Sequence, residues 1–112
     1  MTTISRSVGR GDVILHRGSD ERIGVKWEEY DYSSWSPVDL TSWFGTFSME
    51  WFGQTVYTLS CTGTSDGIMY ADIPANAFTA DTWKPKSNGS WKITATNGDQ
   101  TEVLAWGNYT IQ

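Results

Sequence analysis

Apolar and polar residues alternate with a period of two along most of the chain. Ile23, Val25 and Trp27 alternate with small or polar residues. This spacing predicts a half-buried strand, because successive residues of a strand point to opposite faces of its sheet. The same alternation predicts further strands at 43–52, 56–61, 68–73, 91–96, 102–106 and 109–112. The only helix-like segment is Pro74–Thr79, which is long enough for one turn.

Turn-forming residues lie between these alternating segments. Gly53-Gln54 and Asp66-Gly67 suit tight turns, and Asn97-Gly98 predicts a type I′ hairpin, in which both central residues need positive φ. Many short strands separated by turns are typical of a β-sandwich or barrel. The pattern therefore predicts an all-β fold: a single antiparallel β-sandwich of about seven to nine short strands with an N-terminal extended arm.

The N-terminal segment lacks this alternation. Met1–Gly11 is polar and contains two glycines, so we separate it as an arm from a β-sandwich domain at 12–112. The arm has two interpretations: a frayed tail, or an extension that lies on a neighbouring subunit. In the second interpretation it adds a strand there or places Arg6 and Arg10 on an acidic patch.

Charge is unevenly distributed along the 112 residues, whose formal net charge is −5. Residues 27–81 contain no Lys or Arg and eight Asp or Glu, whereas both flanking segments are weakly positive. The middle carboxylates are therefore solvated, or matched by the two ends of the chain, or matched head-to-tail by another copy. A negative chain of this kind is not expected to bind nucleic acid.

The composition argues against catalysis, metals and cofactors. One His (His16) and one Cys (Cys61) allow neither a disulfide within the chain nor a zinc site, and His16 lies in a strand-like segment. Glu28 and Glu29 are adjacent on a strand and point to opposite faces, so they do not form a catalytic pair. Asp66-Gly67 and Asn97-Gly98-Asp99 supply only fragments of a calcium loop. We expect no enzyme activity, no cofactor and no metal.

Targeting signals are also missing from the sequence. No apolar run is long enough to span a bilayer, and the N-terminal residues contain no apolar core of a secretory signal. We therefore expect cytoplasmic synthesis and no membrane partner.

The aromatic residues are the main candidates for binding. The chain has seven Trp, more than we expect a core of this size to bury. Tyr30, Tyr32 and Trp35 lie in one loop-like segment and Trp83 in another, so these four are predicted to be surface aromatics. Their possible roles are packing at a sheet edge, anchoring a protein interface, or stacking on sugar rings.

Four segments carry a resemblance to a known group of domains: PVDLTSW (37–43), SDGIMYADIP (65–74), GSWKITATNGDQTEVL (89–104) and WGNYTI (106–111). They resemble the small β-sandwich domains of bacteriophage virions, the LtfC-like and baseplate-upper-protein N-terminal group. The resemblance covers about residues 20–112. It departs from the group at Ser42, where a glycine often follows the threonine, and in its higher Trp content.

The resemblance implies a non-enzymatic virion structural protein: a minor tail or tail-tip subunit, or a capsid decoration protein. It carries over no catalytic residue. The expected partners are other virion proteins and copies of the same chain, and the expected location is the virion, after synthesis in the bacterial host cytoplasm. The alternative function is a carbohydrate-binding module that recognises a host receptor, for which a host glycan is the partner.

Overall fold

The computed structural model describes residues 9–31 and 33–112. This part of the chain contains ten strands and one 3₁₀ helix. The strands are β1 (Gly9–Arg10), β2 (Val13–Leu15), β3 (Glu21–Lys26), β4 (Glu28–Asp31), β5 (Ser34–Pro37), β6 (Phe44–Trp51), β7 (Gln54–Gly63), β8 (Ile68–Ile73), β9 (Asn88–Asn97) and β10 (Gln100–Ile111), and the 3₁₀ helix is Asp81–Lys86.

Eight strands form one curled sheet in the order β1-β10-β9-β6-β7-β8-β3, with β2 also paired to β10. The sheet curls at β7: most of this strand pairs with β6, but its last residues, Thr62 and Gly63, pair with Tyr70 and Met69 of β8. The strands β4 and β5 form a separate two-stranded sheet. The all-β prediction is confirmed.

Two pairings differ from the predicted antiparallel arrangement. Both β1 and β2 run parallel to β10, so the main sheet is mixed. β1 lies within the predicted arm, and its Gly9 and Arg10 pair with Ala105 and Trp106. The alternating pattern could not predict β1, because a two-residue strand is too short to show a period of two. Residues 1–8 of the predicted arm, Arg6 included, lie outside the described residues.

The core is built from the inward side of the alternating strands. Phe47, Met49 and Ile93 are fully buried, as are Met69 and Val25 on the strands that fold over them. In β10 a bulge between Val103 and Ala105 shifts the register, so that the consecutive residues Leu104 and Ala105 are both buried. Removing this apolar surface from water is the main force that holds the curled sheet closed.

The segment between β1 and β2 is fixed against β10 and β9. The Gly11 amide donates to the Trp106 carbonyl (2.9 Å), and the Gly11 carbonyl accepts a hydrogen bond from Trp91 Nε1 (2.9 Å). Gly107 permits this close approach, because any side chain there would collide with the Gly11 carbonyl.

Three turn and helix assignments need correction. The β6–β7 turn is Phe52–Gly53 and the β9–β10 turn is Gly98–Asp99, each one residue away from the prediction. Only Gly98 of the second turn has positive φ, as in a type II′ rather than a type I′ turn. The predicted helical turn at Pro74–Thr79 forms non-helical turns, and the helix lies at Asp81–Lys86.

The described residues include no helix that meets the length and hydropathy needed to cross a membrane.

Candidate functional site

Two exposed aromatic residues lie side by side on the small β4–β5 sheet. Tyr30 and Trp35 are direct cross-strand partners, their ring centroids are 5.4 Å apart, and their exposed fractions are 59% and 60%. An isolated two-stranded hairpin is only marginally stable in water. This one is attached through the buried Trp27, whose carbonyl accepts from the Val38 amide (3.0 Å) and whose ring meets Trp43 edge-on.

This aromatic pair lines an open groove of about 520 Å³. We call it the acidic groove, and its lining residues are Trp27, Glu28, Glu29, Tyr30, Trp35 and Glu102. Three carboxylates therefore surround the exposed rings, and no Lys or Arg is among the lining residues.

The groove carboxylates are only partly neutralised by the described residues. Glu28 lies 3.9 Å from Lys26 Nζ, and Glu102 accepts a hydrogen bond from the neutral Gln100 amide. Within the described ranges, Glu29 and Glu102 take part in no ion pair. Carboxylates beside the faces of aromatic rings favour a cationic group, through Coulomb attraction and cation–π contact.

A second exposed aromatic site is the β6–β7 turn, which the alternation did not single out. Phe52 is 87% exposed, and its φ is +51°, a left-handed conformation that is rare for a bulky residue. Gly53 follows with φ +76°, so both central residues have the positive φ of a type I′ turn. Trp51 packs edge-on against Phe52, with centroids 4.9 Å apart, and Lys86 Nζ lies 5.9 Å from the Trp51 ring. We call Trp51, Phe52, Gly53 and Lys86 the Phe52 tip.

Of the aromatic candidates, Trp83 is not on the surface. It is only 9% exposed, because the 3₁₀ helix turns its ring onto Phe78 and Tyr57, with centroids 4.8 and 6.2 Å away. The prediction of a surface residue was wrong, since the segment DTWKPK has no helical periodicity by which to detect a short 3₁₀ helix. Tyr32 lies outside the described residues.

Arg10 is exposed at the opposite edge of the sheet from β3. It lies 3.3 Å from Asp12 and 5.5 Å from the centre of the Trp106 ring, so the contacts of its guanidinium are local ones. The structure does not bring Arg10 together with Tyr30 and Trp35.

Cys61 and His16, the residues with potential for nucleophilic or base chemistry, lie in different environments. Burial raises the pKa of the Cys61 thiol to about 12, which keeps it protonated at neutral pH. His16 Nδ1 lies 2.9 Å from Glu21 on the surface. Across the described ranges, no group of three His, Cys, Asp or Glu side chains could hold a metal ion.

Comparison with known proteins finds a similar fold but no similar sequence. No protein-family model matches the chain, and no curated protein sequence matches it. The curled all-β architecture does occur among solved structures. The N-terminal domain of phage TP901-1 ORF48 is similar to it with a TM-score of 0.56 and 11% sequence identity, over 100% of this chain and 99% of that domain's chain. At this identity the similarity establishes a shared fold alone.

Proposed function

We propose that this chain is a non-enzymatic structural protein of a bacteriophage virion, and that its acidic groove binds a neighbouring protein subunit. The observation that carries the binding proposal is the exposed Tyr30–Trp35 pair set among three carboxylates. The placement in a virion is supported by the fold shared with a phage domain and by the sequence resemblance to virion β-sandwich domains.

The groove has the features of an interface anchor. Buried aromatic residues at the centre of an interface contribute most of its binding energy, and charged residues around them select the partner. The groove supplies both, with the aromatic pair at its wall and Glu28, Glu29 and Glu102 around it. The partner surface that fits is apolar or aromatic and carries Lys or Arg.

A structural role without catalysis is supported by the environment of the reactive groups. The Cys61 thiol is protonated, and the His16 ring is paired with Glu21 rather than with a nucleophile. The proposal therefore assigns no substrate, cofactor or metal to this chain.

The virion assignment is tested on purified particles of the phage that encodes the sequence. Mass spectrometry of gradient-purified particles is expected to detect the chain, and antibody labelling in the electron microscope to find it at one fixed position. Label on the tail or tail tip identifies a minor tail protein, and label on the head identifies a decoration protein. Absence of the chain from intact particles contradicts the proposal.

The groove assignment is tested by re-addition of purified chain to particles made without it. Trp35→Ala is expected to reduce particle binding at least about tenfold, because it removes an aromatic anchor. Trp106→Ala is the matched control, since Trp106 is also exposed (45%) but lies on β10 beside Arg10. Loss of binding in Trp106→Ala with none in Trp35→Ala would place the contact around Arg10 and reject the groove.

A carbohydrate-binding function is the second candidate, because paired exposed aromatic rings beside carboxylates also suit a sugar. It predicts retention of the chain on a glycan array or bacterial polysaccharide, with loss in Trp35→Ala. Binding to chain-free particles without any glycan retention decides for the protein interface.

A further inference from the structure

Glu102 of the acidic groove and the Phe52 tip lie at opposite ends of the main sheet. Glu102 of the groove is the β10 partner of Ala95 in β9. On its other side Ala95 pairs with Gly45, near the start of β6. The Phe52 tip follows Trp51, at the other end of β6. Trp51 is six positions after Gly45, which corresponds to about 20 Å along an extended strand.

The two ends carry complementary charge. Beside the tip, Lys84 pairs with Asp81 (3.4 Å) and Lys92 with Glu50 (3.9 Å), and Lys86 is a cation with no ion pair inside the described ranges. Lys86 instead lies near the Trp51 and Trp83 rings, at 5.9 and 5.6 Å. At the other end, two of the three groove carboxylates, Glu29 and Glu102, have no ion pair in the described part of the chain.

The conformation of Phe52 is a second, independent observation. Asn, Asp and Gly are the residues that fit the first central position of a type I′ turn, and a phenylalanine there is strained. Its ring is 87% exposed, so contacts within the chain compensate for little of that strain energy. Strained residues of this kind cluster at binding sites, where the surrounding partner uses the side chain.

We propose that copies of this chain associate head-to-tail, with the Phe52 ring of one copy inserted beside Tyr30 and Trp35 in the acidic groove of the next. Lys86 then faces Glu29 and Glu102 of that neighbouring copy. The groove volume of about 520 Å³ accommodates a phenyl ring together with the lysine amine. This inference rests on the proposed function, in which the groove binds a neighbouring subunit, and it identifies that subunit as a second copy of the chain.

A contact of this kind uses two different surfaces on each copy, so it is heterologous. It does not stop at a dimer: it closes into a ring if the rotation between copies permits, and otherwise continues as an open filament.

The test is the oligomeric state of the purified full chain by analytical ultracentrifugation. We expect concentration-dependent species larger than a dimer at about 0.1 M salt and weaker association at about 1 M, where the screening length falls from roughly 10 Å to 3 Å. Phe52→Asn and Trp35→Ala, each alone, are expected to leave a monomer. Ile14→Ser, which changes an exposed apolar residue of β2, is expected to associate like the parent chain.

Mixing the two monomeric variants distinguishes head-to-tail contact from any other. The Phe52→Asn chain keeps an intact groove and the Trp35→Ala chain keeps an intact tip, so an equimolar mixture forms dimers and nothing larger. A symmetric interface made by other surfaces gives no such rescue, and a reciprocal tip-to-groove dimer is distinguished by a parent chain that forms nothing larger than a dimer. Charge reversal gives a second check: Lys86→Glu weakens association, and combining it with Glu102→Lys restores it.

Failure of this inference is separable from failure of the proposed function. A monomeric parent chain, or no dimer in the mixture, overturns the head-to-tail contact. If that same chain is found in virions and binds particles through Trp35, the proposed function stands and the groove binds a different virion protein.

Discussion

Phe52 shows most clearly how a single residue can be unfavourable for the fold. A non-glycine residue in the left-handed region costs roughly 1–2 kcal/mol, and among the described residues the exposed ring contacts one other aromatic ring, that of Trp51. Trp83 is the opposite case. Its ring packs against Phe78 and Tyr57, so Trp83 contributes to the core of the fold.

Replacing Phe52 by asparagine is therefore expected to stabilise the chain. Asn adopts positive φ at lower cost, so Phe52→Asn should raise the free energy of unfolding by about 1 kcal/mol. Urea denaturation of monomeric protein at low concentration measures the change. A loss of stability would show that the ring packs within its own chain and is not held for a partner.

The Arg22–Asp72 pair links two strands at one edge of the sheet. Arg22 Nε lies 2.6 Å from Asp72 Oδ1, across the β3–β8 pairing, and the guanidinium stacks on Tyr70 at 4.1 Å. The hydrogen bond from Arg22 lowers the pKa of Asp72 below its ordinary value.

This pair predicts a stability component that depends on acid. Because the pKa of Asp72 is lower in the folded chain, its contribution is present above the ordinary carboxyl pKa of about 4 and is lost as the pH falls below it. Thermal unfolding of the parent chain and Asp72→Asn should therefore differ at pH 7 and converge near pH 2. A difference that persists at low pH would assign the effect to packing instead.

Individual strands were predictable from sequence because each of them carries its own period of two. The alternation requires four of these residues to be buried, and all four are: Ile23, Val25, Phe47 and Met49. The curl of the sheet was not predictable, since it depends on the last two residues of β7 leaving β6 to pair with β8. No local pattern in 54–63 marks that change of partner.

The candidate site was predictable in part, but from a different signal. Tyr30 and Trp35 were identified because they stand in a polar, loop-like segment, although the segment proved to be a hairpin. Phe52 was missed because it continues the alternation of β6, and its exposure follows only from the position of the turn. That position differs by one residue from the predicted turn.

At the scale of the whole molecule, the buried Cys61 thiol reports on cooperative unfolding. Its pKa is raised from 9.0 to about 12 by burial, so the reactive thiolate is rarer in the folded chain by about a thousandfold. Alkylation at pH 8 should be slow in native conditions and reach the rate of a free thiol in urea above the unfolding midpoint.

Alkylation at the rate of a free thiol without denaturant would contradict this burial. Above pH 9 the same shift should lower stability by about 1.4 kcal/mol per pH unit, because the unfolded chain loses the thiol proton first. Cys61→Ala is the control that removes this component.

The parallel pairing of β1 and β2 with β10 also sets an order for folding during synthesis. The residues of β1 and β2 have their pairing partners in Gln100–Ile111, 96 residues later in the chain (Gly9 with Ala105, Val13 with Tyr109). At about 5–20 residues per second, the ribosome needs several seconds or more to supply that partner strand. β1 and β2 therefore stay unpaired until the ribosome has synthesised β10, so this part of the sheet closes only after residue 111 has been translated.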